Sequence, residues 1–146
     1  MTKIYFNANN KAHLETLKAC GVKNILLSYK YSYANIKKFH GNFDSIMVVA
    51  GIGSNEDKYH DWLRAKKEYY DYATQFDVYY DMEKTIKHWE KEKKEGIDWT
   101  LPVLQGNYLH HISRIRPKTG SYVCLGEIKG KFETEDQIRK LPANLK

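Results

Sequence analysis

The sequence is short of several things, and each shortage excludes something. It has two cysteines, Cys20 and Cys124, far apart and in no paired ligand motif, so no zinc or other metal site is expected. Cys20 falls at a predicted helix end and Cys124 within a predicted strand, where buried reduced thiols are the expectation. No apolar run approaches the ~20 residues of a membrane span. The first seven residues, Met1 to Asn7, lack the basic and long apolar regions of a secretory leader, and a cytoplasmic location is expected. The glycine-rich stretch Gly51-Ile52-Gly53-Ser54-Asn55 has neither the Walker lysine nor the third glycine of the dinucleotide fingerprint. It reads as a strand-to-helix turn more readily than as a phosphate cradle, and no cofactor is expected.

What is present reads as a soluble globular chain. At 146 residues, 42% hydrophobic and 29% charged, it has enough apolar surface for one α/β domain over 1–146 and is unlike a disordered chain. The 24 lysines and arginines exceed the 18 carboxylates, giving a net charge of +6. That excess suits nucleic-acid association without requiring it, because many of the lysines fall on predicted helices as solvated faces.

Strand and helix patterns alternate along the whole chain. Strands are expected at 4–8, 24–29, 45–50, 77–81, 100–105 and 122–126. Helices are expected at 10–20, stopped by Gly21, at 33–40, stopped by Gly41, at 57–76, at 85–95, stopped by Gly96, and at 134–141 with Thr134 as cap. The longest rests on Trp62, Ala65, Tyr69, Tyr72 and Phe76, which recur at steps of three and four. In the first helix Ala12, Leu14, Leu17 and Ala19 are available for burial. The regular spacing suits right-handed crossover units. Six of them make an incomplete TIM-type barrel of about six strands, since a full barrel takes about 250 residues; an open doubly wound parallel sheet is the alternative.

In parallel α/β proteins the C-terminal strand tips carry the ligand-contacting residues. Three apolar runs here end in polar or glycine tips: Val78-Tyr79-Tyr80-Asp81, Leu101-Pro102-Val103-Leu104-Gln105-Gly106 and Tyr122-Val123-Cys124-Leu125-Gly126-Glu127. Together these resemble the middle of the tRNA-guanine transglycosylase superfamily, which includes phage enzymes that place 7-deazaguanines in DNA. The likeness covers residues 77 to 128. It implies a base pocket in which Asp81 holds the Watson–Crick edge, Gln105 and Gly106 the exocyclic oxygen, and the backbone at Leu125 and Gly126 the remaining edge, with Glu127 beside them. The chain departs from the family in having no cysteine-rich zinc motif, no carboxylate in the 48–55 stretch, and no placeable counterpart of the nucleophilic aspartate.

The residue types suit a purine. A guanine-like base offers N1 and amino hydrogens to an acceptor and a carbonyl oxygen to a donor, which a carboxylate and an amide supply together. The plainer alternatives are that Asp81 caps the following helix and that Gln105 satisfies a loop backbone. Base exchange would further need a nucleophile and an acid–base partner, for which Glu83 and Glu127 stand near strand tips. His110 and His111 are adjacent and point apart on a helix, so a joint site is not expected.

The most compact basic segment, with Arg114, Arg116 and Lys118, suits contacts to a nucleic-acid backbone. Tyr29, Tyr31 and Tyr33 form an alternating set that reads as exposed or as packed between helix and sheet. Three functions stay open: a transglycosylase-like enzyme acting on guanine or a 7-deazaguanine, a non-catalytic nucleobase or nucleic-acid binding module, and a phage-borne interaction or inhibitor protein that uses an open barrel edge. The partners implied are tRNA or DNA, a free nucleobase, or a second chain that completes the barrel as a homodimer or heteromer.

Overall fold

The structure, a computed structural model, describes residues 3–32, 36–115, 122–126 and 139–140, without the side chains of 31 and 32. The chain divides into two compact units, Met1–Ala73 and Thr74–Lys146.

The first unit is built on a four-stranded parallel sheet. Strands β1 (Phe6–Ala8), β2 (Asn24–Ser28), β3 (Ser45–Val49) and β4 (Tyr72–Ala73) lie in the order β1-β2-β3-β4, each beside its predecessor in sequence. No reversal of order interrupts this sheet, whereas a doubly wound sheet turns on such a reversal. The connections carry α1 (Lys11–Ala19), α2 (Tyr29–Ser32), α3 (Ile36–Phe39) and α4 (Glu56–Ala65). Ala8, Ile25, Leu27, Ile46 and Val48 are buried on the sheet and Leu14, Tyr59 and Leu63 on the helices.

Local signals set the helix boundaries. Asn10 accepts from the His13 N–H at 2.9 Å and Asn55 from the Lys58 N–H at 3.0 Å, so each satisfies a donor that the first turn leaves over. Gly21, at φ +72°, takes the left-handed step after α1. Gly51 is required for space as well: at φ +84°, a Cβ there would stand 2.3 Å from Ser28 Oγ. The 51–55 loop is a strand-to-helix turn, with its Ile52 carbonyl held by Lys30 Nζ at 2.9 Å.

The second unit contains α5 (Met82–Lys94), β5 (Val103–Leu104), α6 (Tyr108–Ile115) and β6 (Cys124–Leu125). β5 and β6 pair in parallel, and Thr74 forms a parallel bridge with Leu101. Its core is Met82, Ile86, Leu104, Tyr108 and Ile115, with Trp89, Ile112, Val123 and Leu125 packed around it.

The largest correction to the sequence expectation falls between residues 57 and 81. The helix expected there stops at Ala65, a short 3-10 turn covers Lys67–Tyr69, and the fourth strand arrives at Tyr72–Ala73 in place of 77–81. Tyr70 is buried and its hydroxyl donates to the Leu63 carbonyl at 3.0 Å, folding the chain back. Asp71 then locks the register, its N–H on the Ile46 carbonyl and its carboxylate on the Ile46 N–H, both within 2.9 Å. The aromatic spacing that imitated a helix combines a helix, a turn and a strand. Residues 79 and 80 are an exposed turn, and Ala65 is exposed.

Smaller corrections concern burial. In α1 only Leu14 is buried; Leu17 is half-buried, and Ala12 and Ala19 are exposed, because one turn in contact with the sheet suffices for a helix this short. Cys20 is exposed at the C-cap rather than buried, while Cys124 is half-buried. The ring of Tyr29 packs against Tyr59 and Trp62, with centroids 5.5 Å apart in both cases; Tyr33 lies outside the described residues. Among the described residues no helix is long and apolar enough to cross a membrane. The helix expected at 134–141 lies outside the described residues except for Arg139 and Lys140, which are helical.

Candidate functional site

Three chain segments of the second unit meet where their extended backbones end. The segment after β4 is tied to β5 by the Gln75 N–H on the Leu101 carbonyl at 2.9 Å, and again by the Gln75 side chain. That fully buried amide accepts from the Val103 N–H at 3.1 Å and donates to the Thr85 carbonyl at 2.8 Å, so it joins the 74–77 segment and β5 to α5. A buried amide with both ends bonded is a fixed spacer. Glu92, fully buried on α5, accepts from the Phe76 N–H at 2.6 Å and the Thr100 hydroxyl at 2.7 Å.

The tip that this frame delivers is Asp77. Its Oδ2 accepts from Gln105 Nε2 at 3.1 Å. Gln105 follows β5 and is 2% exposed, and its Oε1 is buried without a hydrogen-bond partner among the described residues. A buried acceptor left so costs about 1–3 kcal/mol, which a ligand donor would recover. Gly106 turns the chain at φ +64° immediately after it. Gly126, after β6, closes the third side: a Cβ on it would stand 3.2 Å from Gln105 Cγ. Its N–H donates to the Leu104 carbonyl at 2.7 Å and its carbonyl accepts from Tyr108 Oη at 2.6 Å. Leu125, half-buried, packs on the core.

The two ionisable neighbours differ in use. Cys124 sits below this rim with its thiol pushed up to about 12, first by burial and then by the charge of Asp77. It is a protonated, inert thiol at neutral pH. Asp77 is the acidic member of the cluster, and the sequence pattern hides it because the fourth strand starts at Tyr72, five residues before the apolar run at 77–81.

Asp81 is the N-cap of α5. Oδ1 accepts from the Lys84 N–H at 3.0 Å and Oδ2 pairs with Lys84 Nζ at 2.9 Å. The Lys84 backbone bond, then its ammonium, holds the Asp81 carboxyl below its ordinary range. This is the capping role, not a strand tip.

Glu83 is gripped by both terminal nitrogens of the Arg114 guanidinium, Nη2 lying 2.9 Å from Oε2. That pairing lowers the Glu83 pKa and raises that of Arg114. An acid so lowered is poorly matched to proton transfer near neutrality. Arg116, Lys118 and Glu127 lie outside the described residues.

His110 and His111 stand with ring centroids 5.2 Å apart and planes at 70°, edge to face. Burial, then the charge of His110, lowers the His111 pKa, which favours the neutral ring at pH 7. No cluster of three or more metal-ligating side chains occurs among the described residues.

Chemically, the cluster holds two acceptors, the Asp77 carboxylate and the buried amide oxygen of Gln105. Both accept hydrogen bonds, and the amide's donor end is turned to Asp77. This reverses the part foreseen for Gln105: its unpartnered atom suits an N–H donor rather than a carbonyl oxygen. No family model, no curated protein and no solved structure matches the chain.

Proposed function

We propose that the second unit recognises a guanine-like base, guanine or a 7-deazaguanine, through the acceptor pair of Gln105 and Asp77, as a transglycosylase-like protein would. The observation that carries this reading is the buried Oε1 of Gln105, without a hydrogen-bond partner among the described residues, on an amide whose nitrogen donates to Asp77. A guanine-type edge sets N1–H next to an exocyclic amino group and so offers two donors to two acceptors. Adenine presents a bare N1 there, and acceptor would face acceptor. The strand order β1-β2-β3-β4, wound in one direction, supports a barrel-type arrangement over a doubly wound one.

The reading stops at recognition. Exchange would need a nucleophile at the ribose anomeric carbon, and the described carboxylates nearest the tips all have partners: Asp77 with Gln105, Asp81 with Lys84, Glu83 with Arg114. Calorimetry with guanine, 7-deazaguanine and adenine tests it. Guanine and 7-deazaguanine should bind, adenine should not, and Asp77→Asn should abolish binding while Asp81→Ala leaves it intact. Equal binding of adenine and guanine, or no binding at millimolar base, refutes the reading.

A further inference from the structure

Between Asp77 and the start of α5 the chain makes a tight exposed turn whose two tyrosines the site above does not use. Tyr79 is 50% and Tyr80 69% exposed, with ring centroids 4.0 Å apart and planes tilted by 58°. The Tyr79 hydroxyl donates to the Tyr80 oxygen at 3.1 Å. The polar ends are thus turned to each other, and what the pair offers outward is aromatic surface.

The turn is held in place at both ends. The Val78 N–H is held by Thr85 Oγ1 at 2.9 Å, and the Asp81 N–H by the Val78 carbonyl at 3.0 Å. Tyr80 sits at φ +59°, the one non-glycine residue recorded in the left-handed region among the described residues. Glycine or asparagine takes that conformation with less strain, and a large aromatic there gains little burial in exchange. Strain held at an exposed residue beside a binding site points to use of that side chain.

We infer that Tyr79 and Tyr80 form a stacking platform for the nucleobase adjacent to the one read by Gln105 and Asp77, so that the ligand is a single-stranded nucleic acid rather than a free base. This rests on the base-recognition reading. Two trans peptides separate Asp77 from Tyr79, a Cα distance of at most about 7.6 Å, which keeps the pair within side-chain reach of the neighbouring base. Every base has a π-face, so such a platform is sequence-tolerant beside a selective site. Lys87, exposed on the second turn of α5, supplies a cation for the phosphate between the two bases.

Calorimetry at low salt with guanine, d(AGA) and d(AAA) tests the inference on wild type, Gln105→Ala, Tyr79→Ala/Tyr80→Ala and Tyr80→Gly. Wild type should bind d(AGA) at least ~10-fold more tightly than guanine, in line with the contribution of one stacked base. Both tyrosine variants should lose that advantage and keep guanine binding. Tyr80→Gly should melt no lower than wild type, which separates a platform from a structural role. Absence of guanine binding in wild type, with d(AAA) bound by wild type and lost in the tyrosine variants, locates a failure in the base site alone and leaves the platform supported. The inference is overturned if wild type binds neither trinucleotide, if d(AGA) binds no better than guanine, or if the tyrosine variants bind d(AGA) as wild type does.

Discussion

Replacing Gln105 with methionine removes an amide of nearly the same length and volume, and two opposed effects can be weighed from its contacts. The orphaned Oε1 disappears, which relieves about 1–3 kcal/mol of desolvation cost. The hydrogen bond to Asp77 Oδ2, 3.1 Å long, is lost as well. A bond to a charged group contributes about 1.5–3 kcal/mol when buried, and less here, about 1 kcal/mol, because Asp77 is half-buried and water can replace the donor. The difference lies between zero and a gain of about 2 kcal/mol. For a chain of this size that raises the melting midpoint by up to about 6 °C. Base binding should vanish in the same variant. Scanning calorimetry and titration with guanine on one preparation check both. A drop in midpoint of more than about 6 °C would refute the reasoning, because the amide would then be a structural tie with a partner for Oε1. Stability traded for an unsatisfied group is the mark of a binding site.

Other perturbations test the frame around that site. Glu92→Leu should cost about 3 kcal/mol, roughly 10 °C in midpoint, since it orphans the buried Phe76 N–H and Thr100 hydroxyl together; a midpoint within 2–3 °C of wild type would contradict the assigned bonds. Arg114 lowers the Glu83 pKa, so the ion pair stabilises the fold above the ordinary carboxyl value of 4.5 and that stabilisation is lost as pH falls through the lower folded value. Glu83→Gln should therefore show a shallower fall of melting midpoint between pH 5 and pH 3 than wild type; parallel curves would count against the pair. Iodoacetamide at pH 8 should label the exposed Cys20 and leave Cys124, with its thiol near 12, unmodified until the fold is melted; mass spectrometry of digested native protein decides it.

How much was legible in advance varies with the length of the interaction that decides each feature. The capping alternative at Asp81 and the glycine stops at Gly21, Gly41 and Gly96 depend on contacts three or four residues apart, and Gly21, Gly41 and Gly96 all take positive φ. Strands β2 and β3 were readable as continuous apolar runs because both faces are covered. The fourth strand was not, since it is only the two residues Tyr72–Ala73 and the buried residues that follow, Thr74 and Gln75, are polar. Gln75 is buried because Leu101, Val103 and Thr85 supply its partners from ten or more residues away.

By itself the sequence determined the α/β alternation, the glycine stops at Gly21, Gly41 and Gly96 and the place of Gln105 after a strand, since periodicity and capping are local. The tertiary structure alone decided that Asp77 and not Asp81 stands beside it. Strand register is set by pairing with distant residues, and a shift of a few positions exchanges which side chain reaches the tip. Long-range pairing also turned the Gln105 amide so that its donor meets Asp77 and its oxygen has no hydrogen-bond partner among the described residues.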